Sequence, residues 1–157
     1  MKELEIKTLI WTTQKEELTG KEQELIDKAI EATHHSYSPY SHFSVGAAVL
    51  LHNGETVMGC NQENAAFPAG ICAERSALFS AGSKYPDEPV IMLAIAARNA
   101  EGKLTRQPVS PCGSCRQVII ETEKRFRQPV RILLYGTDET YIVDGICQLM
   151  PLSFAEF

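Results

Sequence analysis

Two short motifs in this 157-residue sequence contain three cysteines whose spacing suits metal binding. Cys112 and Cys115 lie three positions apart at the start of a predicted helix, so their thiols share one face and can share an ion. The positive end of a helix favours thiolates, which are the form that zinc binds. Cys72 stands at the start of another predicted helix. With it, three protein ligands would leave the fourth position of a zinc ion for water, as in catalytic zinc sites.

Other interpretations of these cysteines remain open at this point. A CxxC pair by itself also occurs in redox dithiols and in closed structural zinc sites. A closed site would need a fourth ligand, for which Cys60, Cys147 and His42 are candidates, although none has ligand-like spacing to a partner. A redox dithiol would leave Cys72 and the nearby Glu74 without a purpose, so the residues favour an open metal site.

Two charged residues follow Cys72. Glu74 is too close to Cys72 in sequence to be a comfortable second ligand, but it can reach a bound water as a general base. The structural alternative is that Glu74 only complements the dipole of the helix it begins. Three thiolates give a zinc site a net negative charge. We therefore hypothesise that Arg75 donates hydrogen bonds to ligand sulfurs, the alternative being an ordinary surface ion pair.

Helices and strands alternate around these motifs. A capping box at Thr19–Glu22 precedes a helical apolar face, and Asn53–Gly54 is typical of a hairpin turn between two strands. We predict strands at 45–51, 56–61, 90–97, 130–135 and 141–143, and helices after Thr19, at 72–81 and at 113–125. This order predicts a mixed sheet with helices on both faces.

The N-terminal part of the chain has a pattern of its own. Leu4, Ile6 and Thr8 alternate with charged residues, which predicts a short, half-buried strand over 4–8 within an N-terminal extension formed by residues 1–17. No linker, repeat or low-complexity stretch follows. We therefore expect one domain over residues 18–157.

Composition limits the classes of function. Hydrophobic residues make up 44% and charged residues 22%, as in soluble globular domains. Fifteen Lys and Arg against 20 Asp and Glu give a net charge of −5, which disfavours a nucleic-acid partner.

The longest apolar stretch, Val90–Ala97, is far shorter than the roughly 20 residues of a membrane span. The charged N-terminus lacks a signal peptide, so we expect a cytoplasmic protein whose five cysteines are not a disulfide framework.

The two cysteine motifs, Cys-Ala-Glu-Arg at 72–75 and Pro-Cys-Gly-Ser-Cys-Arg-Gln at 111–117, resemble those of the zinc-dependent cytidine deaminases. Segments 37–48 and 59–66 are also similar to this family, and the resemblance extends over about 18–154. It implies a three-layer α-β-α sandwich around a mixed five-stranded sheet. It also implies hydrolytic deamination of cytidine and deoxycytidine to uridine and deoxyuridine in pyrimidine salvage, by zinc-activated water with Glu74 as proton shuttle.

The resemblance assigns further roles in nucleoside binding. Asn61 and Glu63 would hold hydroxyls of the sugar, and their spacing of two places both side chains on one side of a strand end. Phe43 would lie against the pyrimidine ring. The backbone of Ala73 and of Ser110 would contact the edge of the base.

The ligand set and the chain length resemble the short, three-cysteine, homotetrameric members of the family. In those proteins, aromatic residues corresponding to Phe67 and Phe154 reach the pocket of a neighbouring subunit, although many relatives have Tyr in place of Phe67. The segment 99–109 is longer and more polar than in compact members, which predicts a surface loop near the second cysteine motif.

Four alternative functions fit these residues less well. The net negative charge argues against a deaminase of RNA, and the Asn61–Glu63 pair would have nothing to hold in a free base. A deaminase of an aminonucleoside antibiotic shares the three-cysteine zinc site, but the sugar-binding positions favour a nucleoside. A non-catalytic zinc module would need a closed site and has no use for Glu74 beside a ligand.

Overall fold

In a computed structural model of the chain, which describes residues 1–155, six strands form one sheet with helices on both of its faces. The strands are β1 (Trp11–Thr13), β2 (Ser44–Leu51), β3 (Thr56–Cys60), β4 (Val90–Arg98), β5 (Arg131–Tyr135) and β6 (Thr140–Asp144). The helices are α1 (Gly20–Ala32), α2 (Ala73–Lys84) and α3 (Gly113–Phe126). These elements confirm the predicted order of helices and strands.

The sheet is mixed, as predicted, with the order β1-β6-β5-β4-β2-β3. Only β4 and β5 run parallel, because α3 connects them across one face; the other neighbouring strands are antiparallel. The Asn53–Gly54 turn joins β2 to β3, and Gly54 has a φ of 90°, which a glycine adopts without strain.

Two apolar clusters hold the three layers together. On one face of the sheet, Leu25, Ile26 and Ala29 of α1 pack against the central strands. On the other face, residues of α2 and α3 such as Ala77 and Ile119 form the larger cluster. Successive side chains along β2 and β4 point to opposite faces of the sheet, so both strands contribute residues to both clusters. The predicted three-layer α-β-α sandwich is confirmed.

The number of strands differs from the expected five, because the N-terminal extension adds a sixth. β1 pairs with β6 at the sheet edge, with Trp11 opposite Ile142. The strand predicted at 4–8 is wrong: residues 1–10 lie outside the helices and strands and are exposed. An alternating pattern predicts that a segment can form a strand, but it does not predict which segment pairs with the edge strand of the sheet. Here residues 11–13, which follow the alternating segment, pair with β6.

Each helix begins where the sequence predicts. Thr19 caps α1, its amide donating to Glu22 Oε2 over 2.9 Å. The caps of α2 and α3 are Cys72 and Cys112. Within residues 1–155, no helix has both the length and the apolar character that crossing a bilayer requires.

The start of α2 lies directly against β3. A Cβ atom on Gly59 would lie 2.3 Å from the amide nitrogen of Ala77 and 2.7 Å from the carbonyl oxygen of Ala73, so only glycine fits at this position. This close approach fixes the first turn of α2 against the sheet, and with it the position of Cys72.

Candidate metal centre

The N-termini of α2 and α3 converge on one side of the sheet and bring the three predicted cysteine ligands together. Cys72 and Cys112 are the capping residues of their helices, and Cys115 lies in the first turn of α3. Both caps have extended backbone dihedrals, with ψ values of 156° and 168°. Two helix dipoles therefore direct their positive ends at the same small volume, which stabilises thiolates there.

The spacing of the sulfurs fits a tetrahedral zinc ion. The Sγ atoms of Cys72 and Cys112 are 3.8 Å apart, and those of Cys112 and Cys115 are 3.5 Å apart. Two sulfurs at a Zn–S distance of about 2.3 Å and a tetrahedral angle are separated by about 3.8 Å. All three Sγ atoms lie within 4.8 Å of one another. Both the geometry and the soft thiolate donors therefore suit zinc.

The pKa values of Cys72 and Cys115 are shifted in opposite directions. The pKa of Cys72 is lowered to about 5, mainly because Cys115 donates a hydrogen bond to its sulfur, with Arg75 contributing in the same direction. The pKa of Cys115 is raised by the same bond and by burial. A thiolate at Cys72 is thus already favoured, and a divalent cation would displace the remaining protons as it binds.

The cluster supplies three of the four ligands of a tetrahedral zinc ion. Among residues 1–155, the group of metal-binding side chains consists of these three cysteines. Cys60 is not part of this group: its Sγ donates to the carbonyl oxygen of His35 and accepts from Gln62. Neither Cys147 nor His42 joins the group, so the alternative of a closed site with one of these residues is wrong.

Glu74 is buried beside the cluster. It lies in the first turn of α2 with only 4% of its surface exposed. Burial raises the pKa of Glu74, and the charge of Cys72 acts in the same direction. A carboxylate that only complemented the helix dipole would gain nothing from burial and would be more stable in water. The position of Glu74 therefore favours a role at the metal over a structural one.

Arg75 contacts the ligand that precedes it. Its Nη2 lies 3.8 Å from Cys72 Sγ, and the hydrogen bond to Cys72 raises the pKa of the guanidinium, with a smaller contribution in the same direction from the charge of the thiolates. Its Nε is buried without a hydrogen-bond partner among the described residues. The contact is the one expected of a group that offsets the charge of the thiolates, rather than of a surface ion pair with a carboxylate.

A cleft of about 270 Å³ opens beside Cys72. Two of the five predicted substrate-binding residues, Asn61 and Glu63, lie along it. Its lining consists of Asn61, Gln62, Glu63, Asn64, Phe67, Gly70, Ile71, Cys72 and Arg75. Phe43, Ala73 and Ser110 lie outside that lining: Phe43 is half-buried, Ala73 is fully buried in the first turn of α2, and Ser110 is exposed.

Asn61 is hydrogen-bonded to the segment before β2 and to the start of β2 itself. Its Oδ1 accepts from the hydroxyl of Ser36 at 2.5 Å and from the amide of Val45 at 2.8 Å. Its Nδ2 donates to the carbonyl oxygen of Phe43 at 2.9 Å. Asn61 therefore fixes the chain that leads to Phe43.

Glu63 is bound by the loop that precedes Phe43. Its Oε2 accepts from the amides of Tyr40 and Ser41, and its Oε1 accepts from the Ser41 hydroxyl. The Ser41 hydroxyl, more than the backbone amides, holds the pKa of Glu63 below its usual range. Sequence reasoning missed Ser41. The serine-rich composition of this segment was the available signal, since short hydroxyl side chains readily bond nearby acceptors.

The two predicted intersubunit aromatics are both exposed. Phe67 has 82% of its surface accessible and lies at the edge of the cleft, 6.4 Å from the ring of Tyr40. Phe154 is also exposed and lies outside the lining of the cleft. Its carbonyl oxygen accepts a hydrogen bond from Gln117 of α3.

Comparison with known families finds one match over most of the chain. The model of the family described as cytidine and deoxycytidylate deaminase zinc-binding region matches residues 19–127. A cytidine deaminase of Halalkalibacterium halodurans is 46% identical over 99 residues, which cover 63% of this chain and 70% of that protein. A cytidine deaminase of Mycobacterium tuberculosis is 38% identical over 109 residues, covering 66% and 74%.

Solved structures give the same result. The crystal structure of a cytidine deaminase from Burkholderia pseudomallei superimposes with a TM-score of 0.72 at 34% identity, covering 87% of this chain and all of that one. A cytidine deaminase structure from M. tuberculosis superimposes with a TM-score of 0.65 at 30% identity, covering 83% and 94%.

The Arg75 contact leads to a prediction on metal affinity. We expect Arg75→Gln to weaken zinc binding by about 10-fold or more, because the thiolates lose a compensating charge. Competition with a chromophoric chelator measures this affinity directly. Arg106→Gln is the control, since Arg106 pairs with Asp138 on the surface. Equal zinc affinities for the two variants and the wild type would contradict the role of Arg75.

Proposed function

Because the chain belongs to the cytidine and deoxycytidylate deaminase family, we propose that its zinc centre serves the hydrolytic deamination of cytidine and deoxycytidine. Water replaces the exocyclic amino group of the cytosine ring, giving uridine or deoxyuridine and ammonia. The observation that carries this proposal is the open three-thiolate cluster with the buried carboxyl of Glu74 beside it. A purely structural zinc site would not require that carboxyl.

Cys72, Cys112 and Cys115 would hold the zinc ion, which would supply the Lewis acidity that lowers the pKa of a water toward neutrality. Glu74 then acts as the proton carrier. It accepts a proton from the attacking water and delivers it to the ring nitrogen next to the amine-bearing carbon. After the water oxygen has bonded to that carbon, Glu74 transfers the second proton to the departing amine, which leaves as ammonia.

The remaining hydrogen-bonding capacity of Asn61 and Glu63 fits one sugar hydroxyl. Both lone pairs of Asn61 Oδ1 are used, and one of its two amide N–H bonds is taken by Phe43. Glu63 accepts three hydrogen bonds from the loop, and a carboxylate has about four acceptor sites. The pair thus retains one donor and one acceptor. A single hydroxyl, such as the 3′-hydroxyl that ribose and deoxyribose share, satisfies both.

Contacts to the base complete the proposed binding mode. We assign the aromatic ring of Phe43 to the face of the pyrimidine, and the backbone of Ala73 and Ser110 to its edge. Ala73 and Ser110 immediately precede Glu74 and the Pro111–Cys112 motif. Backbone groups at these positions therefore have a fixed position relative to the metal ligands and would orient the base relative to the zinc.

We also propose that the chain works as a cytoplasmic homotetramer in pyrimidine salvage. Three exposed aromatic side chains, Phe67, Phe79 and Phe154, support a self-association surface. An apolar groove of about 360 Å³ between α2 and α3 adds to it. Light scattering tests the assembly: a mass of about four 17.4 kDa chains is expected, and the mass of a single chain would contradict it.

Replacement of Glu74 tests the mechanism. We expect Glu74→Gln to bind zinc like the wild type and to lose about 10²- to 10⁴-fold in kcat, because the amide cannot carry the protons. Loss of cytidine absorbance and zinc content are the two measurements. The matched control is Glu24→Gln, an exposed residue of α1 on the opposite face of the sheet. Turnover near the wild-type rate in Glu74→Gln would end the assignment of the proton carrier.

A further inference from the structure

The guanidinium of Arg116 in α3 donates hydrogen bonds through all three of its nitrogens. Nε donates to the carbonyl oxygen of Pro111 at 2.9 Å, and Nη2 to the hydroxyl of Ser110 at 3.1 Å. Nη1 donates to the carbonyl oxygen of Leu149 at 2.6 Å. None of these acceptors is a sulfur, so Arg116 does not act on the metal ligands by direct contact.

Two of the acceptors belong to the segment that carries a zinc ligand. Pro111 directly precedes Cys112, and Ser110 precedes Pro111. Residues 99–112 lie between β4 and α3 and contain neither a helix nor a long strand. Cys112 is itself exposed, in contrast to the buried Cys115. The position of Cys112 therefore depends on anchors outside its own segment, because a free loop gains conformational entropy by leaving the metal.

The third acceptor connects that segment to a fixed point of the fold. The amide of Leu149 donates to the carbonyl oxygen of Ile146 at 2.9 Å. The amide of Ile146 donates to Oε1 of Glu123, two turns further along α3, also at 2.9 Å. Ile146 is buried in the larger apolar cluster. Leu149 is thus held by the core and by α3 together.

We infer that Arg116 is a positioning residue for the zinc ligand Cys112, joining the Ser110–Pro111 segment to the anchored carbonyl of Leu149. This inference rests on the zinc centre of the proposed function, but not on which substrate is used. It gives Arg116 a role that differs from that of Arg75, which contacts a ligand sulfur. Arg75 offsets charge, whereas Arg116 restrains the backbone from which Cys112 projects.

The shape of arginine is essential to this role. The planar guanidinium presents donors in fixed directions, so a single side chain can hold three oxygens in a defined arrangement. The compact ammonium group of lysine carries the same charge on a flexible stem, and it cannot reach all three acceptors at once. Positive charge alone is therefore insufficient.

The rate of zinc release to an excess of chelator tests the inference on the full-length, zinc-loaded protein. We expect Arg116→Gln to release zinc about 10-fold faster than the wild type, or more, because Cys112 is less firmly held. The matched control is Arg125→Gln. Arg125 lies in the same helix and also donates to a carbonyl oxygen, that of Pro86, away from the cysteines. We expect its zinc release to match the wild type.

Two further measurements separate positioning from a general loss of stability. Cobalt substituted for zinc gives sulfur-to-metal absorption bands that report on the ligand geometry; these should change in Arg116→Gln and stay constant in Arg125→Gln. Arg116→Lys, which keeps the charge, should behave like Arg116→Gln. Wild-type zinc release and cobalt spectra in folded Arg116→Gln or Arg116→Lys would overturn the inference. Neither measurement requires turnover, so this outcome is independent of whether the protein deaminates cytidine.

Discussion

Three cysteine sulfurs held within 4.8 Å of one another, at the meeting point of two helix N-termini, are the constraint on which the rest of the structure depends. Thiolates at this distance repel one another strongly unless positive charge lies close by. The protein supplies that charge from two helix dipoles, from Arg75 and from the cation that the sulfurs bind. The close approach of α2 to β3 at Gly59 and the crossover position of α3 hold the two helix ends in place.

This arrangement also supports the proposed role of Glu74 as a proton carrier. A residue two positions after a ligand cannot turn back to the same metal, but the helix places its carboxyl next to the ligands and away from solvent. The cleft beside Cys72 is lined by Asn61 and Glu63. Asn61 and Glu63 use most of their hydrogen bonds to shape the loop before β2, and what remains is suited to a single hydroxyl. In the proposed binding mode, substrate recognition and loop structure therefore depend on the same two side chains.

Much of this site could be predicted from the sequence, because its signals are local. The capping box at Thr19, the hairpin turn at Asn53–Gly54 and the cysteines at two helix starts each occupy a few consecutive residues. The features that could not be predicted depend on distant partners. An alternating pattern at 4–8 does not reveal that the edge of β6 is filled by Trp11 and its neighbours. Likewise, the bond from Arg116 to Leu149 joins residues 33 positions apart, and no local pattern predicts it.

The central claim is that this zinc centre deaminates a nucleoside that it holds through one sugar hydroxyl. The most direct test is the loss of ultraviolet absorbance when the zinc-loaded protein is given cytidine, deoxycytidine, 3′-deoxycytidine and cytosine in parallel. We expect turnover of cytidine and deoxycytidine, and a kcat/KM lower by about 10-fold or more for 3′-deoxycytidine, which lacks a hydrogen bond to a charged group. Cytosine should be the poorest substrate. No turnover of either nucleoside by protein that binds one zinc per chain would contradict the claim.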